Sequence, residues 1–194
     1  LSLVFEIFNF RKYFMLIFDR VYFVISDSKV DYKYHRPDTY DFSHLTREEY
    51  LENPELFYKK PEGDTDIVLT KLGEVDGIEE FNATFVSPVQ DKHPENNMAS
   101  GLYFMPVGKK SLATVILIHG WGRLSLDVEK KMARKLARNN IDCFLHILPF
   151  HFERAPDDSW SGEYSLTGNI IRTVEGTRQP VAEVSTVASW LRHQ

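Results

Sequence analysis

Apolar residues in the first 26 positions recur every three or four residues. Leu3, Ile7, Phe10, Phe14, Ile17, Val21 and Ile25 form one stripe, and Ser2, Glu6, Asn9, Lys12 and Asp19 gather opposite it. That spacing predicts a helix. Phe5, Leu16 and Phe23 intrude on the polar side, so the helix is apolar over most of its surface. Charges at Glu6, Arg11, Lys12, Asp19 and Arg20 interrupt the run too often for a membrane span, which takes roughly 18 or more apolar residues. No small-residue cleavage site follows a clean apolar core, as a secretory signal requires. A helix packed on the domain or on a partner explains the stripe better than an interfacial membrane helix, because no strong basic face accompanies it.

Residues 27–66 are mixed and mostly polar, with a helix start in "HLTREEYLENPELFYKKP". Thr46 is placed to cap it, with Glu49 three residues later, and Pro54 ends or restarts it. Tyr32, Tyr34, Tyr40, Phe42 and Tyr50 are expected to dock this region on the main body. Strand signals begin near residue 80. "FNATFVSP" and "ASGLYFMPV" are β-prone runs separated by the polar loop "VQDKHPENNM", as in two antiparallel strands. "ATVILIHG" is a continuous apolar run, expected for a strand buried on both faces of a mostly parallel sheet.

A helix follows, with Leu126, Met132, Ala133, Leu136 and Ala137 on one face and basic residues around the rest. It stops at Asn139-Asn140. "IDCFLHILPF" reads as the next strand, residues 149–168 as a long loop, and Val181, Val184, Val187, Ala188 and Leu191 as the face of a second helix. Pro180 is either the first residue of that helix or a kink in a longer one. This order predicts an α/β fold whose sheet starts antiparallel and continues with parallel strands and flanking helices, preceded by a helical N-terminal segment.

Composition narrows the class. The 194 residues are 43% hydrophobic and 26% charged, the range of a globular domain with a sizeable core. The net charge of −5 gives no basic domain for nucleic acid. Cys143 is the single cysteine, which excludes an internal disulfide and cysteine-built metal cages. Its apolar surroundings predict a buried structural thiol, in keeping with a reducing, cytoplasmic setting. The sequence begins at Leu1 rather than Met, as a trimmed start or a fragment would.

The chemistry centres on His119-Gly120-Trp121-Gly122, at the end of the "ATVILI" run. Ligands of open α/β sheets bind beyond the carboxyl ends of strands. Glycines there let the backbone turn sharply and present amide N–H groups to a developing oxyanion. No Gly-Lys-Ser/Thr or dinucleotide-type glycine spacing follows, which argues against a phosphate loop. "TVILIHGWG" resembles the strand and turn before the first large helix of the α/β-hydrolase superfamily. The resemblance covers about residues 80–194. It implies that the backbone N–H of Trp121 is one oxyanion donor, with Gly120 and Gly122 shaping the turn and His119 supporting it rather than acting as base. "LPFHFERAP" and Ser161-Gly162-Glu163, followed by a helix with Arg178-Gln179, are similar to an esterase-like branch. A glycine-rich structural turn in another α/β fold is the alternative.

The nucleophile is missing. No Gly-x-Ser-x-Gly occurs, and the Ser161–Gly168 stretch has the wrong glycine spacing. The resemblance places the elbow after a helix ending near Trp190-Leu191-Arg192, so all three triad residues are expected beyond Gln194. His151 and Glu153 are candidate substrate contacts, or else loop structure around a satisfied histidine. A metal site of His146, His151 and Glu153 is disfavoured by Pro149, and neither metal nor cofactor is expected.

The expected function is therefore the N-terminal part of a serine hydrolase acting on a small-molecule ester, thioester or amide, with this chain inactive alone. Residues 67–194 would be its partial α/β-hydrolase domain and residues 1–66 a helical extension. The alternative is a truncated, non-catalytic binding or regulatory module. A membrane-associated scaffold using residues 1–26 is a weaker third reading. The sequence does not set the oligomeric state.

Overall fold

The structure, a computed structural model, describes residues 47–58, 66–167 and 170–193. The stripe over residues 1–26, the tyrosines at 32, 34 and 40, Phe42 and the cap at Thr46 lie outside them. Two short helices come first, α1 (Glu48–Glu52) and α2 (Glu55–Tyr58), and the chain restarts at Pro54 between them. The residue at the cap position of α1 is Arg47, whose side chain makes no capping bond.

Five strands form one sheet: β1 (Val68–Val75), β2 (Ile78–Val86), β3 (Met98–Pro106), β4 (Ala113–Ile118) and β5 (Ile141–Ile147), in the order β1-β2-β3-β5-β4. β1 is an element that begins twelve residues before the first expected strand signal. It pairs with β2 through the two-residue turn Asp76-Gly77, both with positive φ (52° and 72°). That is the backbone a tight antiparallel hairpin needs, and Asp-Gly is the dipeptide that supplies it.

The β1–β2, β2–β3 and β3–β5 pairs are antiparallel, and β4–β5 is parallel. The sheet thus starts antiparallel and ends with a parallel pair, as the sequence predicts, although antiparallel pairs are the majority among the described strands where β4's apolar run suggests a mostly parallel sheet. β4 is corrected too. It occupies an edge and is only partly covered, with Ile118 52% exposed. Its unbroken apolar run arises because Leu117 packs towards one core and Ile116 towards the other, although no described strand flanks its outer side.

Alternation along the strands divides the core in two. Ile78, Phe104, Cys143, Leu145 and Ile147 face helix α3 (Asp127–Arg138), packing with Ala133 and Ala137. Ala83, Phe85, Tyr103 and Phe144 face helix α4 (Ile170–Leu191), packing with Val187. Cys143 is fully buried, and burial pushes its thiol up to about 12, so it stays protonated.

The buried stripe of α3 is Glu129, Ala133 and Ala137, while Met132, expected inside, is 52% exposed. Alanines one turn apart let the helix approach the sheet closely, and that rotates Met132 outward. In α4 the buried positions are Gln179, Ala182, Glu183, Thr186 and Val187, whereas Val181 faces out. Polar side chains, not the valines alone, set that face. Pro180 lies inside α4. It cannot donate to the carbonyl of Gly176, so that turn of the helix lacks one backbone hydrogen bond. α2 joins this face through Phe57, over whose ring Arg178 is centred at 5.2 Å. Among the described residues, no helix is long and apolar enough to cross a membrane.

Candidate active site

β4 and β5 run parallel, so their carboxyl ends emerge together. His119, at the end of β4, is buried (3% exposed) and bridges the two. Its Nε2 accepts a hydrogen bond from the backbone N–H of Leu148 (3.0 Å), which leaves the proton on Nδ1 to donate to the Gly120 carbonyl (2.9 Å). Burial lowers its basicity, opposed by the bond to Gly120, and the ring is held neutral. Both nitrogens are engaged in holding backbone. Gly120 and Trp121 then lead into Gly122, whose φ of 67° closes the turn.

The loop after β5 grips this turn from the other side. Phe150 (φ 63°) and Phe152 (φ 52°) both sit in the left-handed region, where bulky side chains are rare. Such strain persists only where neighbours over-determine the backbone, and it concentrates at functional sites. Here the neighbours are explicit. The Phe150 N–H donates to Asn96 Oδ1 (2.7 Å), and the Phe152 N–H donates to Ser161 Oγ (3.1 Å). Ser161 Oγ in turn donates to the Arg123 carbonyl (3.1 Å), and Trp121 Nε1 donates to the Gly162 carbonyl (2.8 Å). The Ser161–Glu163 stretch therefore ties the His119–Gly122 turn to the loop after β5.

His151, between the two phenylalanines, is almost wholly buried. Its Nδ1 donates to the Pro149 carbonyl (2.8 Å), and its ring lies 4.8 Å from that of His119. Burial, aided by His119 and Arg154, lowers its pKa to about 4, so it is neutral. Gly162 (φ 93°) passes so close that a β-carbon there would stand 2.6 Å from His151 Nε2. Ser165 Oγ donates to the same Pro149 carbonyl (2.9 Å). With its Nδ1–H directed at that carbonyl, His151 is not placed as a base for Ser165.

A cavity of about 370 Å³ opens here, walled by Trp121 of the turn, by Leu148 and His151 after β5, by Ser165, and by the turn of α4 from Gly176 to Pro180. Trp121 and His151 thus meet at one cavity. Glu153 does not join them. It accepts a hydrogen bond from Ser100 Oγ (2.7 Å) and lines a separate groove with Leu126 and Asp127 at the start of α3. His146 lies against Glu183 (3.0 Å), and no group of three or more metal-ligating side chains occurs among the described residues.

Sequence reasoning missed the buried ionic centre behind the cavity. Arg154 meets Glu183 in a two-pronged pair (2.7 and 2.9 Å) and also donates to the carbonyls of Ile147 (2.7 Å) and Asn96 (3.0 Å). Glu183 accepts further bonds from Ser87 Oγ (2.6 Å) and Gln179 Nε2 (3.1 Å). Burial raises the Glu183 pKa, but the bonds from His146 and Arg154 outweigh it and bring the carboxyl down to about 2. The available signal was a glutamate inside an otherwise buried helix stripe, since carboxylates are almost never fully buried unless paired.

The sheet with α3 and α4 on its two faces, antiparallel at its start and ending in a parallel pair with a turn at the strand end, is a mixed α/β fold. No protein-family model matches the chain, and no curated protein matches it. Among solved structures it is similar to a protein assigned as an acetyl xylan esterase from Bacteroides fragilis, at 15% identity and a TM-score of 0.51, over 72% of this chain and 41% of that one. This likeness concerns the fold. A cold-adapted esterase from an Arctic intertidal metagenomic library aligns at 17% identity and TM-score 0.43, over 68% of this chain and 48% of that one. An acetyl xylan esterase from a Paenibacillus species aligns at 13% identity and TM-score 0.37, over 60% and 34%. The chain spans less than half the length of each.

Proposed function

We propose that this chain supplies the oxyanion side of an esterase-like site, with the backbone N–H of Trp121 as one donor and a serine nucleophile contributed from outside these residues. The observation that carries this reading is the His119-held turn, which opens onto a cavity at the carboxyl end of β4. That is where open α/β sheets bind ligands, and a donor fixed before the reaction stabilises the oxyanion without reorganisation. The named activity of the Bacteroides fragilis neighbour supports an ester substrate by analogy of fold. Residues 67–194 are in this reading a partial hydrolase domain, with residues 1–66 as an extension.

The chain alone is inactive under this proposal. Turnover of an activated ester that one of its own side-chain substitutions abolishes would overturn it. The donor role is tested by titrating labelled protein with ethylphosphonate, whose charged oxygens stand in for the tetrahedral oxyanion. The Trp121 amide proton should move downfield further than amides remote from the turn. An unmoved Trp121 amide sinks the reading.

A further inference from the structure

Most hydrogen-bonding groups of the described side chains around the cavity are engaged within the protein; the exception is His151 Nε2, which is buried without a partner and faces Gly162. Trp121 Nε1 donates to Gly162 (2.8 Å), Ser165 Oγ to Pro149 (2.9 Å), His151 Nδ1 to Pro149 (2.8 Å) and Thr177 Oγ1 to Val174 (2.7 Å), in each case to the carbonyl. The rest of the lining is leucine, valine, proline and glycine. No described lining residue carries a charge. At about 370 Å³ the space is near the lower end of small-molecule sites, which run roughly 300–1,000 Å³. A hydrocarbon chain gains by leaving water for such a lining. A hydroxyl-rich group loses its water and finds few partners in return.

We propose that this cavity is an acyl-chain site, taking the uncharged hydrocarbon of a carboxylic ester and leaving a polar alcohol, such as a sugar, outside. Naming the hydrocarbon an acyl chain rests on the esterase-like reading above, through the shared wall at Trp121. The preference for hydrocarbon over polyol rests on the lining alone. The neighbouring turn would hold the carbonyl end while the chain lies along Leu148 and the Gly176–Pro180 turn.

The test is a titration of methyl-labelled protein with hexanamide and with methyl xyloside. Hexanamide should shift the methyl signals of Leu148, Leu166 and Val181 in a saturable way. Methyl xyloside should bind there at least tenfold more weakly. Leu166 is 57% exposed and so tolerates a charge. Leu166→Asp should weaken hexanamide at least tenfold at unchanged Tm. Unmoved methyls, equal response to the xyloside, or an unaffected Leu166→Asp protein each overturn the proposal. Hexanamide binding combined with a silent Trp121 amide in the phosphonate titration removes the proposed function and the acyl assignment, and leaves the hydrocarbon preference standing.

Discussion

At the scale of single residues, the site depends on positions where no other side chain fits. Gly162 has a left-handed φ of 93° and no room for a β-carbon beside His151. Gly162→Ala is expected to lower stability by roughly 1–3 kcal/mol, read by urea unfolding. It should also shift the His151 ring signals, which a remote destabilising change would leave alone. His151 itself sets a pH response. Its folded pKa, about 4, lies below the ordinary 6.5, so the unfolded chain binds the extra proton between those values. Stability is complete above about pH 6.5 and falls as the pH drops towards 4, with His93 and His119 acting in the same direction. His151→Asn should reduce that loss when unfolding is compared at pH 7 and pH 4.5.

At the scale of elements, the Arg154–Glu183 pair joins the loop after β5 to α4. Glu183→Leu leaves the Arg154 cation buried and unbalanced, and should destabilise by about 3–5 kcal/mol. Arg154→Met combined with Glu183→Leu should recover part of that loss, measured as the coupling in a double-mutant cycle. This pair also marks a limit of sequence reading. The period of α3 and its stop at Asn139-Asn140 could be read locally, because burial on one helix face repeats at a fixed interval, and β5, buried on both faces, was legible as a short apolar run. Arg154 and Glu183 are 29 residues apart. Nothing local tells Arg154, in a loop, from a solvated arginine. Asp76-Gly77 is the opposite case. The turn signal was present and adjacent, but β1 exposes most of its residues, so no apolar alternation drew attention to the strand before it.

At the scale of the whole molecule, sheet order controls protection. β5 lies between β3 and β4, with six of its seven residues buried, whereas β4 has a described partner on one side only. In a parallel pair, alternate amides of a strand point to the same neighbour. Hydrogen exchange should therefore be slow throughout β5, and alternately slow and fast along β4. Uniform protection of β4 would mean its outer side is covered. The turn at the end of this strand was legible because strand, turn and helix are contiguous in sequence. The cavity beside it was not, since its walls come from segments that meet only after α4 docks.

The carboxylate of Glu183 also bears on the order in which the molecule is built. Its bond to Ser87 spans 96 residues. Closing a loop of that length takes a conformational-entropy penalty that local hairpins and helix turns do not face. The β1–β2 hairpin and the first turns of α3 and α4 can form early. The loop carrying Phe150, His151 and Phe152 has only the local bonds to Ser161 and Gly162 to hold its strained backbone until Asn96, Arg154 and Glu183 come together. The candidate site is thus a product of the final docking step, and a partly folded chain would carry the turn without the cavity.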